Sequence, residues 1–499
     1  MRMLVRRSAL PFPPLRLLAG ALFALHAAGA GAVSLPPEPA YKGDLMGDGK
    51  GGVIVKPFAA PDERRDSPET QNSAPAEHRV RARRANRVEA APQDATAVEA
   101  TPQIVLPAGP ATLQVGPARQ IRTIAQAAKM ARNGDTILVD PGVYAGDVAV
   151  FTQDRLTIRA AGGRARMAAN GNNAEGKGIW VIRGGQVLVE NIEFTGARVP
   201  DHNGAGIRFE SGKLVLRNCL FRDNENGILT SGNKDAELQI ENSEFDHNGT
   251  VDGYAHQLYA GEIGRLTVTG SYFHNAVGGH LLKSRAAINT VMYNRLTDEN
   301  GGRASYELEF PNGGASYVVG NIIEQSASTD NLNIIAAGLE GYKWPKNELY
   351  LINNTIVDDR PAEGVFLRLA PGMQLLKAVN NLLSGNRKHD FNFFSGNVEG
   401  KAHEVGKSLQ LPDGGVRQGA GGMKIEASNN FNAPQDEFAQ AARHDYRIRE
   451  NSALAGKYKA PGTANGIDLA PRAEYAHPAQ IRHLSAAPTL PGALQSPAR

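Results

Sequence analysis

Three features of the sequence predict an all-β fold, a right-handed parallel β-helix (a solenoid) with an N-terminal capping helix. The first is a repeat. An apolar-x-apolar-x-Asn pattern recurs as "VLVEN" (Asn191), "LVLRN" (Asn218), "LQIEN" (Asn242), "TVMYN" (Asn294), "YVVGN" (Asn321), "LYLIN" (Asn353) and "LKAVN" (Asn380), with glycine in that place in "LTVTG" (Gly270). Successive anchors stand 27, 24, 28, 24, 27, 32 and 27 residues apart. The second is local: period-2 alternation precedes the anchors, and turn residues follow most of them, as in "FRDNENG", "FDHNG" and "LSGN". The third is a missing signal, since the L-x-x-L-x-L spacing of leucine-rich repeats is not found. A period in the twenties built from short strands reads as a coil of several strands per turn. Stacked coils bring equivalent residues about 4.8 Å apart. An asparagine at one bend in coil after coil can then bond its neighbours and satisfy the backbone groups of that bend.

The elements follow in chain order. Arg2, Arg6 and Arg7 precede "LLAGALFALHAAGAGA", which reads as a secretory signal over residues 1–32 with small-residue sites at Ala28–Ala30 and Ala30–Ala32. That apolar run is too short to span a bilayer, so no transmembrane segment is expected in the mature chain. A bacterial periplasm or the exterior is the expected compartment. Residues 33–105 are rich in Ala, Pro, Glu and Arg, contain "RVRARRANR" (Arg79 to Arg87), and read as a disordered linker. Within them "DLMGDGKGG" (Asp44 to Gly52) lacks the distal glutamate of a calcium loop. The β-helix domain is placed at 106–478, and a Pro- and Ala-rich tail over 479–499 is expected to be disordered.

Across the 499 residues, 54 Lys+Arg against 51 Asp+Glu leave a net charge of +3, which announces no bulk electrostatic partner such as nucleic acid. The single cysteine, Cys219, excludes an intramolecular disulfide and a Cys-based zinc cluster. In "LVLRNCLF" it reads as a small core filler.

Within the domain, "IRTIAQAAKMARNGDTILVDPGVY" (Ile121 to Tyr144) resembles the amphipathic capping helix and first strand of pectin-lyase-like β-helix proteins. Ile121, Ile124, Ala128 and Ala131 fall near one face, suited to covering the open apolar end of the first coil. Near the other end, "DYRIRENSALAGK" (Asp445 to Lys457) is similar to the motif that closes such domains. Beyond Asn386 the repeat blurs, with "IEASNNF" (Ile425 to Phe431) as a late coil. The superfamily includes pectate lyases, chondroitinase B, polygalacturonases, alginate epimerases and non-enzymatic surface proteins. The resemblance implies a carbohydrate partner without selecting a chemistry. Neither the aspartate-rich calcium cluster of pectate lyases nor the paired aspartates of polygalacturonases is evident here. No metal ligands are assigned, no cofactor is implied, and calcium is not indicated.

One strand carries the candidate site. In "GHLLKSRA" (Gly279 to Ala286), turning Leu281 inward would bury Lys283 and Arg285 together, at several kcal/mol per unpaired ion. The expected register therefore points Leu282 inward. Leu281, Lys283 and Arg285 then face solvent, and His280, Ser284 and Ala286 turn towards the core. In the next coil Tyr306, Leu308 and Phe310 form the expected inward set, leaving Glu307 and Glu309 outside. Offsets from the anchors stack Tyr259, Lys283 and Glu309 in one outward column and Gln257, Leu281 and Glu307 in a second, with His256 and His280 at the edge. The insertion "LEGYKWPKNE" (Leu339 to Glu348) adds Tyr342, Lys343 and Trp344, rings and a cation suited to sugar faces and anionic groups.

Two chemistries suit this set. In β-elimination from a uronic-acid polysaccharide, Arg285 neutralises the substrate carboxylate, Lys283 is the base, and Tyr259 or His280 is the acid. In glycoside hydrolysis or epimerisation, Glu307 and Glu309 work as a pair, about 6.6 Å apart along the strand. His256, Gln257, Tyr342, Lys343 and Trp344 are the expected substrate contacts. The plain alternative is a salt-bridged surface, with Lys283 and Glu309 as a cross-strand pair, on a non-catalytic polysaccharide-binding or envelope scaffold.

Overall fold

The computed structural model describes residues 46–47, 53–54, 109–361, 364–385, 415–418 and 422–497. The chain divides into two compact units, Met1–Glu89 and Ala90–Arg499. In the first unit, Met46–Gly47 pairs antiparallel with Val53–Ile54. The expected signal segment and the rest of the expected linker lie outside the described residues.

The second unit winds through three long sheets. Sheet I has 13 strands, sheet II has 11 and sheet III has 9. One coil runs from Lys213–Arg217 in sheet I to Leu220–Arg222 in sheet II and Asn226–Thr230 in sheet III. The chain then returns to sheet I, where Glu237–Glu241 pairs in parallel with Lys213–Arg217. Alternation sets the inner face: Leu214 and Leu216 are buried while Val215 is only partly so. On the inner face of sheet II, Phe194, Phe221, Phe245 and Phe273 stack in register with ring centroids 5.0, 4.9 and 4.3 Å apart.

The asparagine ladder exists, and it is double. The bend from sheet I to sheet II needs a left-handed residue, a conformation that asparagine tolerates. Asn191, Asn218, Asn242, Asn353 and Asn380 fill it with φ between 49° and 60°. Asn294 and Asn321 do not: Tyr293 (φ 56°) and Gly320 (φ 66°) hold the bend, and both asparagines follow one residue later. Measured from Gly270, the true bend spacings are thus 23, 27 and 33 residues. Asn294 and Asn321 belong to a second, buried file with Asn354, Asn381 and Asn430. There the Asn321 Oδ1 accepts from the Asn294 backbone N–H at 2.9 Å, and the Asn321 amide donates to Val291 O at 2.8 Å. The Asn354 and Asn381 side chains repeat the pattern, each accepting a backbone N–H at 3.0 Å. The sequence pattern merged the two files because asparagine suits both adjacent positions.

The helix is Ile124–Met130. Thr123 Oγ1 accepts from Gln126 N at 3.1 Å, and the Asp147 carboxylate takes the N–H groups of Ile124 and Ala125, so its first turn is capped. Ile121, Ile124, Ala127, Ala128 and Ala131 are buried in the solenoid core. At the other end, Lys424–Ser428 and Phe431–Asn432 extend sheets I and II as the late coil.

The expected disordered tail is instead packed. Ala473–Ala476 pairs antiparallel with Gln480–His483, and Leu490 and Ala493 are buried. Leu490 O accepts the Asn353 amide at 3.1 Å. Composition weighs only what a segment can bury by itself. Here the few apolar residues meet an apolar outer face already made by Ile322, Val357 and Leu382 of sheet II. A second such cluster sets Leu469 and Ala473 against Tyr317, Tyr350 and Ile352 of sheet I. Sheet III contributes to neither cluster, and the candidate site lies on its outer face.

Candidate active site on sheet III

The strands Leu258–Ala260, His280–Ser284 and Tyr306–Phe310 are neighbours in sheet III. Their pairing sets Tyr259 beside Lys283 and Lys283 beside Glu309, the column expected from the repeat. Leu258, Leu282 and Leu308 face the core beneath it.

The second expected column is inverted. Gln257, Leu281 and Glu307 are fully buried, in the file that begins with Gly206 and Gly227. A Cβ on Gly206 would stand 2.9 Å from the Phe221 ring, and one on Gly227 2.9 Å from the Phe245 ring, so this file points into the interior at a corner. Each strand thus turns two successive residues inward, which strict alternation cannot foresee. His256, His280 and Tyr306 consequently lie with the outward column, where His280 and Tyr306 were expected on the core side. Gln257 is spent inside, accepting from Asn248 Nδ2 at 2.8 Å and donating to His274 O. The glutamates are divided by the sheet. Burial, with the nearby carboxylates of Asp298 and Glu324, raises Glu307 well above the usual range and keeps it neutral. Two carboxylates no longer share one face, so the paired-glutamate chemistry has no geometry.

The outward residues form one connected cluster. His280 Nε2 lies 2.8 Å from Glu309 Oε2, and Lys283 Nζ lies 3.2 Å from the same oxygen. Arg285 Nε donates to the Tyr259 hydroxyl at 2.7 Å, and its Nη1 donates to Asn312 Oδ1 at 2.7 Å. The His256 ring stacks on Tyr259 (5.5 Å) and meets His280 edge-on (4.6 Å). His256 Nδ1 accepts the backbone N–H of His280 at 3.0 Å, which fixes its tautomer. Glu340 carries no signal in the sequence as a site residue, since nothing local reveals the path of its insertion. Its carboxylate lies 3.1 Å from Lys283 Nζ and 2.5 Å from Arg285 Nη1.

Charge states follow from these contacts. Burial lowers His256 well below its ordinary value, helped by the charges of His280, Lys283 and Arg285. Burial also lowers His280, against the pull of Glu309. Lys283 runs the other way: burial would lower it, but Glu309 and Glu340 outweigh burial and raise it. It is therefore held protonated, contrary to the role of base expected for it. Burial likewise opposes ionisation of Glu309, yet the His280 hydrogen bond and the Lys283 charge hold it at about 2.

The insertion residues divide. The Tyr342 hydroxyl donates to Ala370 O at 2.8 Å, and its ring fills the space beside Gly338 and Gly372, so it is a packing residue and not a sugar contact. Lys343 is paired with Glu262. Trp344 Nε1 donates to Arg285 O at 2.9 Å, tying the loop to the cluster, and Lys234 lies 5.4 Å from its ring centroid. A separate set that could hold a metal ion, Glu324, Asp359 and His444, has donor atoms within 4.8 Å of one another where the C-terminal segment meets sheet II. It shares no residue with the cluster on sheet III.

A family model described as the right handed beta helix region matches residues 148–300. The fold is a right-handed parallel β-helix. Among solved structures, this β-helix is similar to the pectate lyase Pel9A, at 13% identity and a TM-score of 0.46, over 78% of this chain and 97% of that one. It is also similar to a PL6 family alginate lyase, AlyGC, at 14% identity and a TM-score of 0.20, over 63% of this chain and 54% of that one. No curated protein matches the sequence. Among the described residues, the β-helix has no helix long and apolar enough to cross a membrane.

Proposed function

We propose that this β-helix protein is an exported lyase that cleaves an acidic, uronic-acid polysaccharide by β-elimination at the Lys283–Arg285 cluster. The observation that carries the reading is Glu340: a carboxylate held by an ammonium and a guanidinium, beside a phenol and a neutral imidazole. It marks where a substrate carboxylate binds. Once that carboxylate displaces Glu340, Lys283 and Arg285 neutralise it and stabilise the enolate-like charge that develops when the adjacent C–H proton leaves.

His280 is the base in this reading. Glu309 takes up its Nε2 side, and its Nδ1 has no partner. The electrons of the broken C–H bond form the C=C bond, and the C–O bond to the next sugar breaks. Tyr259 donates the proton to that leaving oxygen; its own oxygen already accepts from Arg285, so its hydrogen is free to transfer. A proton passing back from His280 to Tyr259, with the His256 ring in contact with both, closes the cycle. Residues 1–32 supply export in this account, and the helix Ile124–Met130 plugs the first coil.

The test is incubation with alginate, pectate and glycosaminoglycans while following the ultraviolet absorbance of unsaturated uronate products. Wild-type protein should generate that absorbance, and Arg285→Ala should abolish it. New reducing ends without absorbance would replace elimination with hydrolysis. Binding without any product would leave a scaffold.

A further inference from the structure

The outer face of sheet III carries more cations than the cluster uses. Lys177, Arg183, Lys283, Arg285 and Lys343, on or beside it, each lie against a carboxylate. Arg208 and Arg368 do not. Both side chains are partly buried, and neither has an ion-pair or hydrogen-bond partner among the described residues. The Arg208 Nε is fully buried and unbonded. A guanidinium withdrawn from water without a paired carboxylate is costly, and its planar fork suits one; Glu210 acts on Arg208 only from beyond ion-pair distance.

Their positions are specific. Strand pairing runs Arg208 to Leu229 to Tyr259 to Lys283 on one side, and Lys283 to Glu309 to Ala336 to Arg368 on the other. Both arginines therefore occupy the column of Lys283, three coils away in opposite directions. At one strand spacing per coil each lies about 14 Å from Lys283, and the three span about 29 Å along the solenoid axis. A pyranose ring in an extended chain advances about one strand spacing, ~5 Å, so three coils correspond to about three sugars.

We propose that Arg208 and Arg368 are the outer carboxylate-binding subsites of an acidic polysaccharide laid along the solenoid axis, with its reacting sugar at Lys283 and Arg285. This deepens the function proposed above and rests on it. The protein then recognises about seven successive sugars and cuts within chains.

The test is affinity and KM for a size-graded series of oligouronates, two to eight sugars by number, with wild-type protein and the variants Arg208→Gln and Arg368→Gln. Wild-type affinity should rise with length and level off near about seven sugars. Each variant should level off about two to three sugars earlier and lose about tenfold at full length, a change of ~1.4 kcal/mol. Thermal melting of each variant separates this loss from misfolding, and because the arginines lie on different coils, one variant alone suffices. Variants that follow the wild-type length curve would overturn the subsites while leaving the lyase reading intact. A wild-type protein that binds no oligouronate of any length would overturn both.

Discussion

Glu307 and Glu309, two residues apart on one strand, end on opposite sides of the sheet wall in different charge states. Glu307 is fully buried and neutral in the interior, and Glu309 is ionised beneath Lys283 and His280. Residues at i and i+2 share a face in a regular strand. The inward corner that takes both Leu281 and Leu282 also takes Glu307 and Leu308, which shifts Glu309 to the outer face.

Substitution separates the two glutamates. Glu309→Gln removes one of the two counter-ions of Lys283, whose side chain is only 13% exposed, and should cost about 2–4 kcal/mol together with nearly all activity. Glu307→Gln is close to isosteric with a carboxyl that is already neutral, and should change stability by less than about 1 kcal/mol and leave turnover intact. Denaturant melts and the product assay check both. The reverse pattern would return the chemistry to the glutamate pair.

In the proposed reaction Glu340 competes with substrate for the two cations. Its side chain is 40% exposed, so Glu340→Gln should cost no more than about 1 kcal/mol of stability. The same change should lower KM by about 3- to 10-fold, equivalent to ~0.7–1.4 kcal/mol. A raised KM would make Glu340 part of the binding surface instead.

Acid should loosen the protein before Glu309 titrates. His256 and His280 are lowered by burial, and they face Tyr259, Lys283, Arg285, Tyr306 and Glu309. The unfolded chain therefore binds more protons at these sites as pH falls below about 6.5. Each contributes stability that is present above that pH and lost as pH drops towards its folded value, with a slope of at most about 1.4 kcal/mol per pH unit. Glu309 adds a later loss, between about pH 4.3, its unfolded value, and its folded value of about 2. Melting temperatures measured between neutral and mildly acidic pH should fall in the wild type and fall less steeply in His256→Gln.

The buried asparagine file is the costlier of the two. Asn321→Ala strands the backbone N–H of Asn294 and removes the donor to Val291 O, about 1–3 kcal/mol for each group left unsatisfied. Asn218→Ala, at an exposed left-handed bend, should cost about 1 kcal/mol. Equal losses from equilibrium unfolding would contradict the division into two files.

The sequence by itself determined the coil, its period, and the neighbours Tyr259, Lys283 and Glu309, because a solenoid turns spacing along the chain into a fixed step in space. Only the tertiary structure decided which way Glu307 and His280 face, that Glu340 closes onto the cations, and that Leu490 and Ala493 pack against sheet II. Those outcomes depend on a corner where alternation breaks, on a loop free of repeat constraints, and on an apolar surface that exists only after the coils have stacked.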